Sequence, residues 1–528
     1  MRLFYLMLVL FMYQTATAQL YPAYQVTVDT NTSVGYYFIT PVKFGSSTAN
    51  VYQMILDKYG NVVYTKNAGR QAISDFKIQP NGLMSYNTKG KSFLLDSTFT
   101  EIDSLGCKNG ITTDGHDFQI LSNGNYLLMG TEDTIMDLSA YHVFAHNGSA
   151  GSPNATVKCG VIQELDVNKN VVFEWHCKDY YHFADVDTAF LNTPNAVDWT
   201  HFNAVEQDMD GNILVSVRHF NEVTKINHTT GDVIWRLGGN ANQFTFLNDT
   251  THFIAQHDIR RIANGNYTIF DNGRKGNPVH PAQAKEYTLN EDSLKATLAW
   301  SYINDSASFS LATGNVQRIS NGNTVISYGA LNAGAQTFNV VDTFGVKHFE
   351  LVFDDTLISY RAFNYPQLPF ALHRPQLTCV NTNGQYYLTT TENYNAYRWN
   401  TGDSTAAIPV NNGATYQVFI PIGNGGYISS EILGVTDMNN LCGITNITNV
   451  PDSGWRLVSN NVGSRLNILF NGGFNTSTSA YVYNAMGSLV IQQSINAQQG
   501  SANISTQNLP AGMYLLRLNG STVKFNKY

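Results

Sequence analysis

Three histidines stand at matching places in a repeated pattern. His116 lies just ahead of FQILSNGN, His201 ahead of NAVEQDMDGN, and His257 ahead of DIRRIANGN, at 8, 10 and 8 residues before the turn glycine. Equivalent positions in successive repeats point to one axis, where imidazoles can gather. Imidazole attacks electrophiles and moves protons near neutral pH. Arg218 closes the strand ILVSVRHF and offers a rigid fork to carboxylate, phosphate or sulfate. Asn203, two residues after His201, shares its strand face and brings an amide toward the same oxyanion. Together they describe an anion pocket; the alternative is a polar channel lining. The net charge of −8 repels anions, so an anion must be held by local groups.

Other chemistries fit less well. His142 and His146, or His176 and His182 beside Cys177, lack an HExxH setting and read as loop histidines. Asp208 to Asn212 lacks the later glutamate of a calcium loop and reads as a hairpin turn. No GxSxG elbow supports a serine triad. Asp117 and Asp258 directly follow histidines, so strand alternation predicts that they face away from the imidazoles. That leaves no carboxylate pair for a glycosidase. Gly238-Gly239 has no strand–loop–helix setting and is no phosphate loop. The expectation is a site with no metal and no cofactor.

The elements that must position these residues are hairpins. FQILSNGNYLLMG (118–130), VEQDMDGNILVSV (205–217), IRRIANGNYTIFD (259–271) and VQRISNGNTVISY (316–328) are each strand, tight turn, strand. Second hairpins follow at 161–175, 223–237 and 284–300, ending in Trp175, Trp235 and Trp300, and degenerate versions precede at 52–66 and 76–96. Two hairpins make a four-stranded antiparallel sheet. The spacing predicts about six such sheets between residues 20 and 370, with inserts within 131–156 and 178–200. Radial packing buries both faces of each sheet, which favours a propeller over an array of β-sandwiches.

Composition agrees with an all-β chain. Only 13% of residues are charged where about 25% is usual, while 43% are apolar and 12% aromatic, with 42 glycines and 30 tyrosines. Disorder is excluded, and without a basic stripe nucleic acid is not a partner. Arg2, the apolar run Leu3–Met12 and Ala16-Thr17-Ala18 predict a signal peptide over 1–18 and export, with the mature chain starting at Gln19. No later run is long enough for a transmembrane span. Of five cysteines, proximity suggests disulfides Cys159–Cys177 and Cys379–Cys442, with Cys107 free. Residues 371–450 read as a small β-sandwich module. Residues 451–528, with five basic side chains and one acidic, read as another short-strand unit.

The run HFNAVEQDMDGNILVSVRHFNEVTKINHTTGDVIWRLGG (201–239), followed by FIAQHDIRRIANGNYTIFDNG (253–273), closely resembles the bacterial arylsulfotransferase family. The resemblance spans roughly 40–370. It implies a six-bladed β-propeller over 19–370 that moves sulfate from a phenolic sulfate ester to a phenolic acceptor without a nucleotide sulfate donor. By motif, His257 would be the nucleophile forming a sulfohistidine, while His201, Arg218, Asn203 and His116 would bind and polarise the sulfuryl group. NAMGSLV, LPAGMYLLRL and VKFNKY near the C-terminus resemble the type IX secretion sorting domain of Bacteroidetes. This implies the secretion machinery as a partner, and a secreted or outer-membrane-surface location. The 371–450 module resembles immunoglobulin-like spacers of exported proteins.

Two other functions compete with the transferase. Water as acceptor would make the same intermediate an arylsulfate hydrolase. A secreted propeller could also be a binding module or adhesin for anionic or aromatic ligands. The oligomeric state is not legible.

Overall fold

The computed structural model describes residues 20–435 and most of 455–527, apart from short segments at 31–33, 70–72, 145–147, 333–335, 354–355, 412, 458–460, 463, 471–476, 485–487, 497–500 and 519–520. The expected signal peptide, Gln19, His146 and Cys442 lie outside the described residues.

Tight turns set the architecture. Gly124, Gly211, Gly265 and Gly322 sit at φ of +86°, +86°, +86° and +87°, a region that side chains resist and glycine enters freely. Each turn folds its strands into the first hairpin of a sheet. Thus Phe202–Gln207, Ile213–Val217, Glu222–Ile226 and Val233–Gly238 pair in sequence order. Five further antiparallel sheets between residues 24 and 365 share this plan.

Two of them are completed by the chain ends. Tyr24–Asp29 joins the outer edge of the sheet that begins at Asn315–Arg318, and Leu357–Tyr365 supplies the first strand of the sheet containing Tyr36–Lys43. The six first strands, Ile73–Ile78, Thr112–Ile120, Phe202–Gln207, His257–Arg261, Asn315–Arg318 and Leu357–Tyr365, contact one another in a closed cycle. Apolar faces bury between adjacent sheets: Ala204, Leu214 and Trp235 pack against Ile259, Ile269 and Tyr287.

The predicted inserts fall as placed. One lengthens the hairpin Tyr126–Met136/Ala155–Leu165, and the other forms three 3-10 turns between Cys177 and Phe190 before Ala196–Asp198. The disulfide Cys159–Cys177 is not formed, and both thiols are free and buried. The ladder ends at Val161–His176, and Cys177 turns into the first 3-10 turn. The thiols therefore meet as hydrogen-bonded neighbours rather than as a facing pair. Cys107 is free, as expected, and Cys379 is disulfide-bonded.

Residues 377–435 build three small groups of strands around Leu388, Trp399, Ile408 and Val418. One group continues the sheet of the N-terminal strands, because Tyr427–Ser429 pairs with Val62–Asn67. Gln417 and Ser429 also donate to the Val62 carbonyl, at 3.0 and 2.5 Å. The C-terminal strands enclose a separate core of Leu466, Ile468, Val482, Leu516 and Phe525. No helix among the described residues is long and apolar enough to cross a membrane.

Candidate active site

Irregularity at one level of the first strands makes the site. Five of the six carry a β-bulge there, at Ser74/Lys77, between Thr113 and Phe118, at Phe202/Ala204, at His257/Arg260 and between Ser359 and Ala362. Bulges re-aim side chains and break alternation. Asp75 and Asp258, inside their bulges, take φ of +56° and +60°, and His201, just ahead of its bulge, takes +50°. Asp117 and Asp258 bond to no imidazole among the described residues, in keeping with the expectation that they face away from the histidines; both carboxylates are buried at the centre, where the Arg361 guanidinium lies 3.4 Å from each.

Two polar layers result. The lower is an ion network. Asp75 meets Arg361 and Lys77, both at 2.7 Å, and Asp117 meets Lys77 and Arg260, both at 2.6 Å. Asp258 meets Arg260 at 2.9 Å. Burial raises the Asp75 carboxyl above its ordinary range, against the pull of Lys77 and Arg361. For Asp117, Arg260, Lys77 and Arg361 outweigh burial and hold the group far below its ordinary range.

The upper layer holds the histidines. His257 is 2% exposed and clamped at both nitrogens. The Thr313 N–H donates to Nε2 at 3.1 Å, so Nε2 carries no proton, and Nδ1–H donates to Asn272 Oδ1 at 2.7 Å. Asn272 in turn donates to the Thr313 carbonyl at 2.9 Å. Burial, with Arg218 nearby, pushes the His257 pKa well down, against the opposing pull of Asn272. The ring is neutral, with its lone pair at Nε2.

His116 and His201 form the floor of a cavity of about 1190 Å³, with Thr313, Tyr360, Asp114 and Asp198 beside them. Their rings meet edge to face at 5.0 Å. Burial would lower His116, but the Asp114 carboxylate bonded to its Nδ1 overrides this and raises it. His201 donates from Nδ1 to Asp198 Oδ2 at 2.6 Å. Burial still lowers it, with His116 and Arg218 adding to the effect. His219 stacks on His201 at 4.6 Å and donates to the Asp198 carbonyl at 2.6 Å.

Arg218 donates through Nη2 to the Leu311 carbonyl at 2.8 Å and stacks over Phe190 at 4.9 Å. Its Nε is buried without a hydrogen-bond partner, and burial brings its pKa down to about 10. Asn203 is buried, and its amide donates to the Gln256 carbonyl at 2.7 Å, leaving Oδ1 unpartnered. The backbone segment Leu311–Thr313 therefore lies across both Arg218 and His257. Gly314 lets it pass, since a Cβ there would come within 2.5 Å of Phe270.

The structure brings His116, His201 and His257 into one neighbourhood with Arg218. Sequence reasoning missed Asp114, Asp198, His219, Asn272 and Thr313. An acidic residue two or three positions before each of His116 and His201 was the available signal. Asp198, His201 and His219 could crowd a cation, their ligand atoms lying within 4.8 Å. Both Nδ1 atoms already turn to Asp198, however, and the stacked rings keep the remaining lone pairs near parallel rather than convergent.

Comparison with known proteins extends this. Residues 23–365 match the family model described as arylsulfotransferase, and residues 460–527 match that of a secretion system C-terminal sorting domain. No curated protein matches the sequence. Solved structures with similarity include a protein of unknown function from Bacteroides caccae, at 13% identity and TM-score 0.40, covering 62% of this chain and 98% of its own. The periplasmic gluconolactonase of Pseudomonas aeruginosa matches at 9% and 0.35, covering 76% and 97%. Virginiamycin B lyase of Staphylococcus aureus matches at 10% and 0.29, covering 70% and 95%.

Proposed function

The chain belongs to the arylsulfotransferase family, an enzyme family of sulfuryl transfer, and we propose that it moves a sulfuryl group from a phenolic sulfate ester to a phenolic acceptor through a sulfohistidine at His257. Its sorting domain makes it a secreted or surface protein that uses the type IX machinery. In this reading the six sheets are the blades of a closed propeller over 19–370. Residues 371–450 are an immunoglobulin-like module, and 451–528 are the sorting domain.

The observation that carries the mechanism is the two-ended clamp on His257. It fixes one neutral tautomer and turns Nε2 to the backbone N–H of Thr313, which itself lines the cavity, so that His257 lies just beneath the cavity wall. A neutral nitrogen beside a guanidinium attacks sulfur without first losing a proton. A bound sulfuryl group replaces the internal partners: its oxygens accept from Arg218 and from the Thr313 N–H, which releases the Nε2 lone pair. The S–N bond forms as the S–O bond to the phenolate breaks. In the second half a phenol attacks sulfur, the S–N bond breaks, and neutral His257 returns. His116, whose imidazolium the Asp114 carboxylate favours, stabilises charge on the sulfuryl oxygens. Asn203 holds the Gln256 peptide that precedes the nucleophile.

One observation favours a second reading. The mouth is wide, and His116 and His201 are each about a quarter exposed, so water can reach the intermediate and make the enzyme a hydrolase. Release of p-nitrophenolate from its sulfate, with and without added phenol, separates the two. A rate that rises with phenol, together with sulfated phenol, supports transfer; equal rates in both cases support hydrolysis. No phenolate at all, with aryl sulfate still bound, would leave a binding module.

A further inference from the structure

We propose that Asp198 and His219, neither of which touches the sulfuryl group, are positioning residues that make His201 the proton carrier of the reaction. The proposal rests on the sulfohistidine reading above and assigns the phenolic proton, which that reading leaves without a carrier.

The geometry converges on one ring. Asp198 grips the assembly twice, its carboxylate accepting from His201 Nδ1 at 2.6 Å and its carbonyl accepting from His219 Nδ1 at 2.6 Å. His219 is sandwiched, stacking on Phe190 at 4.3 Å and 13° and on His201 at 4.6 Å and 24°. Backbone bonds lock the same corner, because the Arg218 and His219 amides donate to the His201 and Thr200 carbonyls, both at 3.2 Å. His201 takes a left-handed φ of +50° to meet this stack, a conformation that costs energy unless its surroundings hold it. With Nδ1 committed to Asp198, only Nε2 is left for chemistry. A carboxylate that fixes tautomer and orientation while stabilising the imidazolium is the orienting element of a nucleophile–base–acid triad.

The proton balance closes without another reactant. When the acceptor phenol attacks the sulfohistidine, its O–H proton passes to His201 Nε2 as the S–N bond breaks. The imidazolium then carries Nδ1–H to Asp198 and Nε2–H to the mouth. In the next cycle Nε2–H goes to the departing phenolate oxygen as that S–O bond breaks, and neutral His201 is restored. The charged and titratable groups facing this ring are Asp198, His116 with its Asp114, Arg218, His219 and His257. Among them only Asp198 and Asp114 favour the imidazolium, and only Asp198 bonds to it.

The test compares donors that differ in their need for a proton. Phenyl sulfate leaves as a strongly basic phenolate, whereas p-nitrophenyl sulfate leaves as a stabilised one. General acid catalysis contributes about 10²–10⁴-fold, so Asp198→Asn should lower the phenyl-to-nitrophenyl rate ratio by at least about tenfold. His219→Ala should shift the ratio the same way, and His219→Phe, which keeps the stack, should shift it less. Nitrogen-detected NMR of His201 gives a readout independent of turnover: Nδ1–H in the wild type, with a lower titration point in Asp198→Asn. An unchanged ratio, an equal loss on both donors, or an unchanged His201 tautomer and titration would overturn the proposal. Failure of the sulfohistidine reading looks different, as no wild-type sulfuryl adduct on His257 by mass spectrometry.

Discussion

The two layers at the centre of the molecule are built from neighbouring residues of the same strands and solve opposite problems. In the lower layer, charge is buried and neutralised by charge, through Lys77, Arg260 and Arg361 against Asp75, Asp117 and Asp258. In the upper layer, His257 is buried and kept neutral by burial, while Arg218 keeps an unpartnered Nε. Charge paired with charge fixes geometry, whereas Arg218, which forms no ion pair among the described residues, is left to hold an anion. In the proposed mechanism the ion pairs are then the platform and the histidines the tool. Changes below should cost stability, and changes above should cost turnover.

The largest effect separates the layers most sharply. His257→Ala should abolish both phenolate release and transfer, with a loss of about 10⁴-fold or more, as removal of a covalent nucleophile does. The melting temperature should fall only modestly, through the cavity left and the loss of the ring's bonds to Asn272 Oδ1 and the Thr313 N–H. Retained turnover in this variant would remove His257 from the nucleophile's place.

Next comes the platform. Arg361→Met leaves three buried carboxylates short of a cation, and breaking a buried pair from one side costs about 3–5 kcal/mol. Denaturant unfolding should show that loss. Residual folded enzyme should keep its KM for donor, because Arg361 bonds Asp75 and the Asn203 carbonyl rather than the mouth. A normal midpoint with lost turnover would reverse the assignment of the two layers.

Arg218→Lys keeps the charge and loses the fork, so kcat/KM for p-nitrophenyl sulfate should fall about 10²-fold, the scale of one oxyanion donor. Asn203→Ala acts one step removed, through Gln256, and should cost about tenfold in kcat with little change in KM.

How far these layers were legible follows from the kind of signal each left. The turn motif repeats in the sequence because five of the six sheets open on a hairpin with a left-handed glycine, so the sheets and the shared level of His116, His201 and His257 could be read directly. Arg218 was legible because it ends a strand in a recognisable motif. Asn272 and Thr313 were not, since each earns its place only when Ser310–Gly314 crosses over His257. That Asp117 and Asp258 keep clear of the imidazoles could be read from alternation, but their meeting with Arg361 at the centre could not, because both lie at bulges that bring distant strands together. The Cys159–Cys177 pair failed, because closeness in sequence ignores where a ladder stops.

The smallest effect is the pH profile, and it tests whether the two mouth-side environments differ as described. His257 has its pKa pushed well below 6.5, so the nucleophile stays neutral as the pH falls through the range where a free imidazole would protonate. His116 has its pKa raised above 6.5, so its cation persists to higher pH and is lost beyond. Turnover of p-nitrophenyl sulfate, whose leaving group needs little protonation, should therefore show no acid limb near 6.5 and should decline on the alkaline side. Asp114→Asn removes the carboxylate that raises His116 and should move this alkaline decline to lower pH. The stability signs are opposite for the two rings. The depressed His257 contributes stability that is present above 6.5 and falls away as the pH drops, because the unfolded ring gains a proton that the buried one refuses. The raised His116 contributes stability that is full below 6.5 and lost as the pH rises through its folded value. His257→Ala should thus flatten the acid side of the stability curve and His116→Gln the alkaline side. If both variants flatten the same side, the two histidines share one environment, and the division of labour between them is wrong.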